Sequence, residues 1–249
     1  MKDVILYNKP LGFTPLQAID QLKQEHPEFA EVPITYAGRL DPMAQGLLLL
    51  LSGNAIAHKQ EFLNLPKTYK AQILFGFETD SYDVLGLPKY TTPPPTQRET
   101  LEKTIQNFIG TQQLPYPPFS SQPVNGKPLW QWAKENRLSE IQIPTREMNV
   151  ISAEVSSIET IPWKEIYTTI RINIGLVSGD FRQLEILQQW EQINAQINPA
   201  QQFQIANITF TVSSGTYIRT LAHELGKKLG TTALLYSLNR TGIGKFTTK

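Results

Sequence analysis

Tyr36-Ala37-Gly38-Arg39-Leu40-Asp41-Pro42-Met43-Ala44-Gln45-Gly46 runs straight into Leu47-Leu48-Leu49-Leu50-Leu51 and stops at Ser52-Gly53. Two glycines and a proline in eleven residues describe a tight loop. Asp41 precedes the proline, which biases it to extended backbone and restricts where its carboxylate points. Five leucines are too few for a core helix and suit a strand buried on both faces. A carboxylate fixed beside such a strand suits a nucleophile, a general base or a metal ligand, whereas Asp-Pro read by composition alone is a turn.

Working outward, Val4 to Asn8 is strand-like and is followed by the turn Lys9-Pro10-Leu11-Gly12. Thr14-Pro15 starts a helix whose buried face is Leu16, Ile19 and Leu22. Tyr69, Ala71, Ile73, Phe75 and Phe77 alternate over Lys67 to Phe77 as a half-buried strand. Thr96-Gln97-Arg98-Glu99 has capping-box form, and Leu101, Ile105, Phe108 and Ile109 carry the helix to Gly110. Strand patterns return at Val150 to Ile158, Tyr167 to Ile174 and Phe203 to Val212. Ile218, Leu221, Ala222, Leu225 and Leu229 line one face of a helix closed by Gly230. Strands and helices interleave without strict βαβ repetition, which predicts an α+β fold on a mainly antiparallel sheet. Leu114 to Lys127, with four prolines and Asn125-Gly126, reads as a long irregular functional loop. Gln183 to Gln204 reads as a short amphipathic helix around Trp190 and Ile193 with a flexible polar flank, a surface insertion.

The 249 residues and 28.2 kDa fit one domain, or one with a small appendage. Forty per cent hydrophobic and 18% charged residues exclude a disordered or fibrous chain. With no cysteine there is no disulfide, thiolate metal site or cysteine nucleophile, and His26, His58 and His223 are too scattered for a histidine metal centre. No apolar run reaches the roughly 20 residues that cross a bilayer. The opening MKDVILYNKP has no secretory h-region, so a cytoplasmic location is expected. The net charge of +1 conceals an asymmetry: Ser213 to Lys249 has six basic residues against Glu224, or +5, and the remainder carries 17 basic against 21 acidic, or −4. Such a basic end can engage a polyphosphate locally.

Several stretches together resemble one family. Asn8-Lys9-Pro10-Leu11-Gly12-Phe13-Thr14 resembles an opening Lys-Pro-x-Gly-x-Thr motif, and Gly38 to Gly46 a Gly-x-Leu-Asp-Pro-x-Ala-x-Gly loop. Lys67-Thr68-Tyr69 and Thr79-Asp80-Ser81-Tyr82-Asp83-Val84-Leu85-Gly86 resemble a Lys-x-Tyr strand and an acidic turn. Ser214-Gly215-Thr216-Tyr217-Ile218-Arg219-Thr220-Leu221-Ala222 and Leu238-Asn239-Arg240 resemble the C-terminal motifs. Six motifs in order, from about Leu6 to Phe246, resemble the TruB-type tRNA pseudouridine synthases.

The resemblance implies one pseudouridine synthase domain over residues 1–249: a mixed, mainly antiparallel sheet flanked by helices, an RNA-binding thumb near 112–147 and the Gln-rich insertion near 183–204. It implies a monomer that needs no cofactor or metal, acts on the T-loop of tRNA in the cytoplasm, and isomerises the uridine at position 55 after flipping it out. Asp41 is carried over as the reacting carboxylate, attacking ribose or base or removing a ribose proton. Tyr69 becomes the aromatic that stacks on the base and could aid proton transfer, and Arg219 the arginine that keeps Asp41 ionised and placed. Leu238 would pack on the base and Asp83 lie near it, with Lys9 and Tyr217 completing the substrate-binding set. In the thumb, Lys127, Lys134, Arg137 and Arg146 would meet phosphates while Trp130 and Trp132 pack the insertion on itself.

Three departures qualify the match. Tyr36 stands where the family has a histidine that helps eject the base, and Tyr can also wedge. Arg39 replaces a small residue or Thr, giving an Arg-Leu-Asp triplet like that of ribosomal and broad-specificity pseudouridine synthases; it could add a cation beside Asp41 or an RNA contact. The sequence stops three residues after Phe246, so the small C-terminal RNA-binding domain of bacterial members is expected to be absent and the grip on the acceptor stem weaker. Alternatives are the same chemistry on another RNA, a non-catalytic tRNA-folding chaperone, and a hydrolase using Asp41 and Asp83 as paired carboxylates.

Overall fold

The structure is a computed structural model and describes residues 3–92 and 96–247. Lys249, counted in the basic end, lies outside the described residues. The strands are β1 (Val4–Lys9), β2 (Ile34–Ala37), β3 (Ala44–Ser52), β4 (Lys67–Phe75), β5 (Phe77–Thr79), β6 (Pro88–Tyr90), β7 (Gly110–Pro115), β8 (Pro123–Val124), β9 (Lys127–Pro128), β10 (Thr145–Pro162), β11 (Gln202–Val212), β12 (Ala233–Ile243) and β13 (Phe246–Thr247). The helices are α1 (Pro15–Glu25), α2 (Lys59–Asn64), α3 (Arg98–Gln106), α4 (Leu129–Lys134), α5 (Trp163–Gly175), α6 (Gln183–Asn194) and α7 (Ile218–Lys228).

Among the described residues, nine strands form one sheet in the order β1-β3-β12-β4-β11-β10-β7, with β2 added to β3 and β13 to β12. The pairings are antiparallel except β12 on β3, where Leu238 faces Ala44 and Arg240 faces Gly46. This is the expected mixed, mainly antiparallel α+β architecture. The leucine run is the seam. Leu47, Leu49 and Leu51 pack towards Ile243 and Phe62, and Leu48 and Leu50 pack on Ala18, Ile19 and Leu22 of α1. All five are buried, because β3 is covered on both sides.

The sheet carries helices on both faces. On one, Tyr69, Ala71, Ile73 and Phe75 of β4 meet Leu101 and Ile105 of α3 and Ile218, Leu221, Ala222 and Leu225 of α7. On the other, Leu74, Phe203 and Ile205 meet Trp163, Ile166 and Ile170 of α5 and Ile186, Trp190 and Ile193 of α6. Phe77 stacks on Trp163 at 5.0 Å and lies 5.8 Å from Trp190. Aromatic pairs at this spacing add to the stabilisation from burial alone.

Local chemistry explains where elements begin. Thr14 caps α1 in a reciprocal capping box with Gln17, followed by Pro15. Gly230 ends the last helix with φ +70°.

Several sequence expectations are corrected. Leu16, expected on the buried face of α1, is 64% exposed, and Ala18 is buried with Ile19 and Leu22 instead. Tyr167 to Ile174 is not a strand but lies inside α5: the β-branched residues imitate period two, yet burial falls at Trp163, Ile166, Ile170 and Ile174, and Ile172 faces solvent. Thr96 does not cap α3; its backbone N–H and C=O are both engaged by the Gln204 amide, and Gln97 takes the cap position. That helix stops at Gln106, and Gly110, at φ +95°, opens β7. The Lys67 to Phe77 strand breaks at Gly76 and is buried on both faces at Leu74.

The Gln-rich stretch forms the expected amphipathic helix around Trp190 and Ile193, and its apolar face is buried. Its helix α6 places Trp190 in the second core, with Nε1 donating to the Val84 carbonyl at 3.1 Å. Leu114 to Lys127 is irregular at its centre, but Asn125 and Gly126, both at positive φ, turn a two-residue hairpin between β8 and β9.

The parallel junction demands a glycine. Gly46 has φ +104°, and a Cβ there would fall on the Asn239 amide and within 2.9 Å of the Arg240 backbone nitrogen. Gly46→Ala is expected to cost about 2–4 kcal/mol in urea unfolding. Gly110→Ala, with φ +95° but no atom within 4 Å, should cost about 1 kcal/mol, from backbone strain alone.

Candidate active site

The aspartate loop is tied down by backbone carbonyls. Gly12 N–H donates to the Pro42 carbonyl at 2.8 Å and Ala44 N–H to that of Asp41 at 3.0 Å. Arg240 lies beneath, buried, donating Nε to the Leu47 carbonyl at 2.7 Å, Nη1 to that of Arg39 at 3.0 Å and Nη2 to that of Gly38 at 3.5 Å. The Lys9 ammonium donates to the Pro10 and Phe13 carbonyls at 2.9 and 2.6 Å, and that of Lys67 to the Leu65 carbonyl at 2.6 Å. Three buried cations thus hold carbonyls rather than carboxylates around the loop, and that satisfaction makes burial tolerable.

Asp41 itself faces out. Its side chain is 41% exposed, whereas that of Arg219 is 6% exposed. Arg219 sits in the first turn of α7 and donates Nε to Asp41 Oδ2 at 2.8 Å, Nη1 to the Ser81 carbonyl at 2.8 Å and Nη2 to the Phe119 carbonyl at 3.2 Å. Asp83 Oδ2 lies 3.7 Å from the same Nε. Burial alone would lower the Arg219 pKa, but Asp41 and Asp83 outweigh it and hold the guanidinium above its ordinary value. Burial pushes the Asp83 carboxyl up to about 6, with Asp41 adding to the rise and Arg219 opposing it. Asp83 also accepts from Ser81 Oγ at 2.8 Å and Leu85 N–H at 2.9 Å.

Two cavities flank this pair. One, of about 300 Å³, is lined by Asp41, Arg39, Lys67, Tyr69, Tyr217, Leu238 and Arg240, with Phe119 to Ser121 and Ser213 to Arg219 at its walls. The second, of about 400 Å³, shares Asp41, Arg219 and Phe119 to Ser121 and adds Asp83, Trp130, Phe181 and Arg182. The segment 119–121 therefore stands between them. Arg39 bonds to Ser121 Oγ across the first, and Arg182 lies 4.2 Å over the Phe119 ring beside the second.

Seven of the eleven sequence-predicted site residues, Asp41, Tyr69, Arg219, Leu238, Arg39, Tyr217 and Asp83, meet here. Lys9 does not reach the cavity: it is buried under the loop, so its part is to hold backbone. Tyr36 is turned away from both cavities; its ring packs with α1 residues and Leu48 and Leu50, with Lys59 5.4 Å above it.

In the thumb, Lys127 pairs with Glu135, Lys134 with Asp180 and Arg137 with Glu140. Arg146 instead lies against Gly215 and 3.5 Å from Tyr116 Oη. Trp132 does pack the insertion on itself, through Nε1 to the Val124 carbonyl and under Lys127. Trp130, expected to do the same, is 40% exposed at the second cavity.

Lys67 and Arg240, outside the expected site set, also line the first cavity. The signal was parity: Lys67 is two residues from Tyr69 and Arg240 two from Leu238, so each pair shares a sheet face. Across the strands Arg240 faces Tyr69.

Burial lowers Lys9 and Lys67 to about 8, against an ordinary value of 10.5. Between those pH values the unfolded chain binds more protons than the folded one, so these lysines make unfolding free energy rise with pH. Lys9→Met or Lys67→Met should reduce that rise between pH 8 and 10.5 by up to about 1.4 kcal/mol per pH unit, measured by urea titration at stepped pH.

This geometry can be set beside known proteins. Residues 29–179 match the TruB family pseudouridylate synthase (N terminal domain). The chain is 28% identical to tRNA pseudouridine synthase B of Caldicellulosiruptor saccharolyticus over 249 residues, covering all of this chain and 70% of that protein. It is 30% identical to tRNA pseudouridine synthase B of Bordetella parapertussis, covering 98% of this chain and 81% of that one. The fold superposes on a crystal structure of a Cbf5-Nop10-Gar1 complex with a TM-score of 0.61 and 18% identity, over 99% of this chain and 50% of that one. The chain thus spans about half the length of that solved structure. With the matched profile running across the aspartate loop, the acidic turn and the thumb, the chain belongs to the TruB family of pseudouridylate synthases.

Proposed function

We propose that the chain isomerises the uridine at position 55 in the T-loop of tRNA to pseudouridine. The observation that carries this reading is the solvent-reached Asp41 carboxylate, paired with a buried guanidinium at the wall of a cavity that also presents Tyr69 and Leu238. The reaction moves atoms without adding any: the C1′–N1 bond breaks, the base turns, a C1′–C5 bond forms, and the C5 proton is lost as N1 gains one. One anionic oxygen suits that sequence, as nucleophile toward ribose or base or as base toward a ribose proton.

In this reading Arg219 keeps Asp41 aimed, because separating the pair would strand a buried cation. Tyr69 and Leu238 sandwich the everted base, and Arg39, Lys67 and Tyr217 surround its ribose and phosphate. Asp83 acts through Arg219, being buried against it. The thumb over 112–147 grips RNA through Arg146 and through lysines that trade their carboxylate partners for phosphates. Tyr36, facing α1, takes no part in ejecting the base.

Arg39 in the cavity wall favours a second reading, the same chemistry at another RNA site. Purified protein incubated with tRNA transcripts tritiated at uridine C5 should release tritium stoichiometrically, and Asp41→Ala should release none. Arg219→Lys should lose at least about a hundredfold in rate, since a point charge cannot replace the fork. Release that persists when position 55 is changed to cytidine moves the target elsewhere. RNA refolding without any release leaves a chaperone.

A further inference from the structure

Tyr82 has a left-handed backbone, φ +67°, a costly conformation for a bulky residue and one that persists only where its surroundings impose it. Its ring lies flat on the His223 imidazole, centroids 3.9 Å apart and planes 10° from parallel. Neither residue lines either cavity described above. The stack nonetheless joins the two segments that meet at the reacting carboxylate. His223 follows Arg219 by one helical turn on α7, which puts both on one face. Tyr82 sits between Ser81, whose carbonyl accepts from Arg219 Nη1 at 2.8 Å, and Asp83, whose carboxylate lies 3.7 Å from Arg219 Nε. From below, the Leu235 N–H of β12 donates to the Tyr82 carbonyl at 2.9 Å.

We propose that Tyr82 and His223 are a positioning pair: their stack pins the acidic turn to α7, so that Ser81 and Asp83 hold the Arg219 guanidinium against Asp41. The proposal rests on the isomerase reading for its effect on rate, but its geometric content stands apart from that reading. Both residues act through Arg219 and touch no substrate.

Glycine adopts φ +67° without penalty, so Tyr82→Gly removes the stack while relaxing the backbone, and the variant should fold. Its single-turnover rate on T-loop uridine is expected to fall about tenfold, the upper range for one aromatic pair, with the Kd for tRNA within about twofold of wild type. Tyr82→Phe and His223→Phe preserve a stacked pair and should keep the rate within about twofold. A second measurement needs no turnover: hydrogen exchange of the Arg219 Nε–H, followed by NMR in the RNA-free protein. It should be about tenfold faster in Tyr82→Gly and unchanged in Tyr82→Phe. Unchanged exchange in Tyr82→Gly overturns the pair, as does faster exchange with an unaltered rate. If wild-type protein releases no tritium, the isomerase reading fails, while the exchange comparison still decides the pair.

Discussion

A guanidinium withdrawn from water needs acceptors for its donors, and those of Arg219 come from stretches of chain that share no element. The Asp41 carboxylate comes from the loop before β3, the Ser81 carbonyl and the Asp83 carboxylate from the acidic turn, and the Phe119 carbonyl from the thumb. Satisfying one cation therefore fixes three segments relative to α7. The geometry is self-enforcing, because moving any segment leaves a buried charge underpaired, which costs several kcal/mol. The Asp41 side chain stays 41% exposed while that of Arg219 is 6% exposed, so the ion pair is buried on one side and open to solvent on the other.

The same logic recurs one layer down. Lys9, Lys67 and Arg240 are buried without carboxylates and are satisfied by the carbonyls of the segments they support. Their charges repel one another across the loop: Arg240 lowers both lysines, and Asp41 raises Lys9. The loop thus carries the Asp41 carboxylate above a positive floor. A floor of that sign attracts anionic groups such as phosphates.

Much of this was legible in the residues. The leucine run, the capped first helix, the last helix and the mixed sheet follow from local pattern, and Asp41, Tyr69, Arg219 and Leu238 converge where the motifs place them. What could not be read is tertiary in origin. Tyr167 to Ile174 has β-branched residues at every second place, and only the core formed by Trp163, Trp190 and Phe203 decides that it is helical. Thr96 has capping chemistry, but Gln204, 108 residues away, captures its backbone first. Tyr36 occupies the right position in a motif, yet strand parity sends its ring to α1. The thumb lysines look free in sequence and are paired in space, because their acidic partners are set by turns that no periodicity reveals.

The join between β3 and β12 carries a biological consequence. Arg240 reaches the Leu47 carbonyl across 193 positions of sequence, and β12 is the neighbour that lays Leu238 and Arg240 beside the aspartate loop. A nascent polypeptide still emerging from the ribosome lacks the strand that floors the site until Ala233 to Ile243 is free. Translation products that stop short of Ala233 would accordingly lack both Leu238 and Arg240, and with them one wall of the cavity beside Asp41.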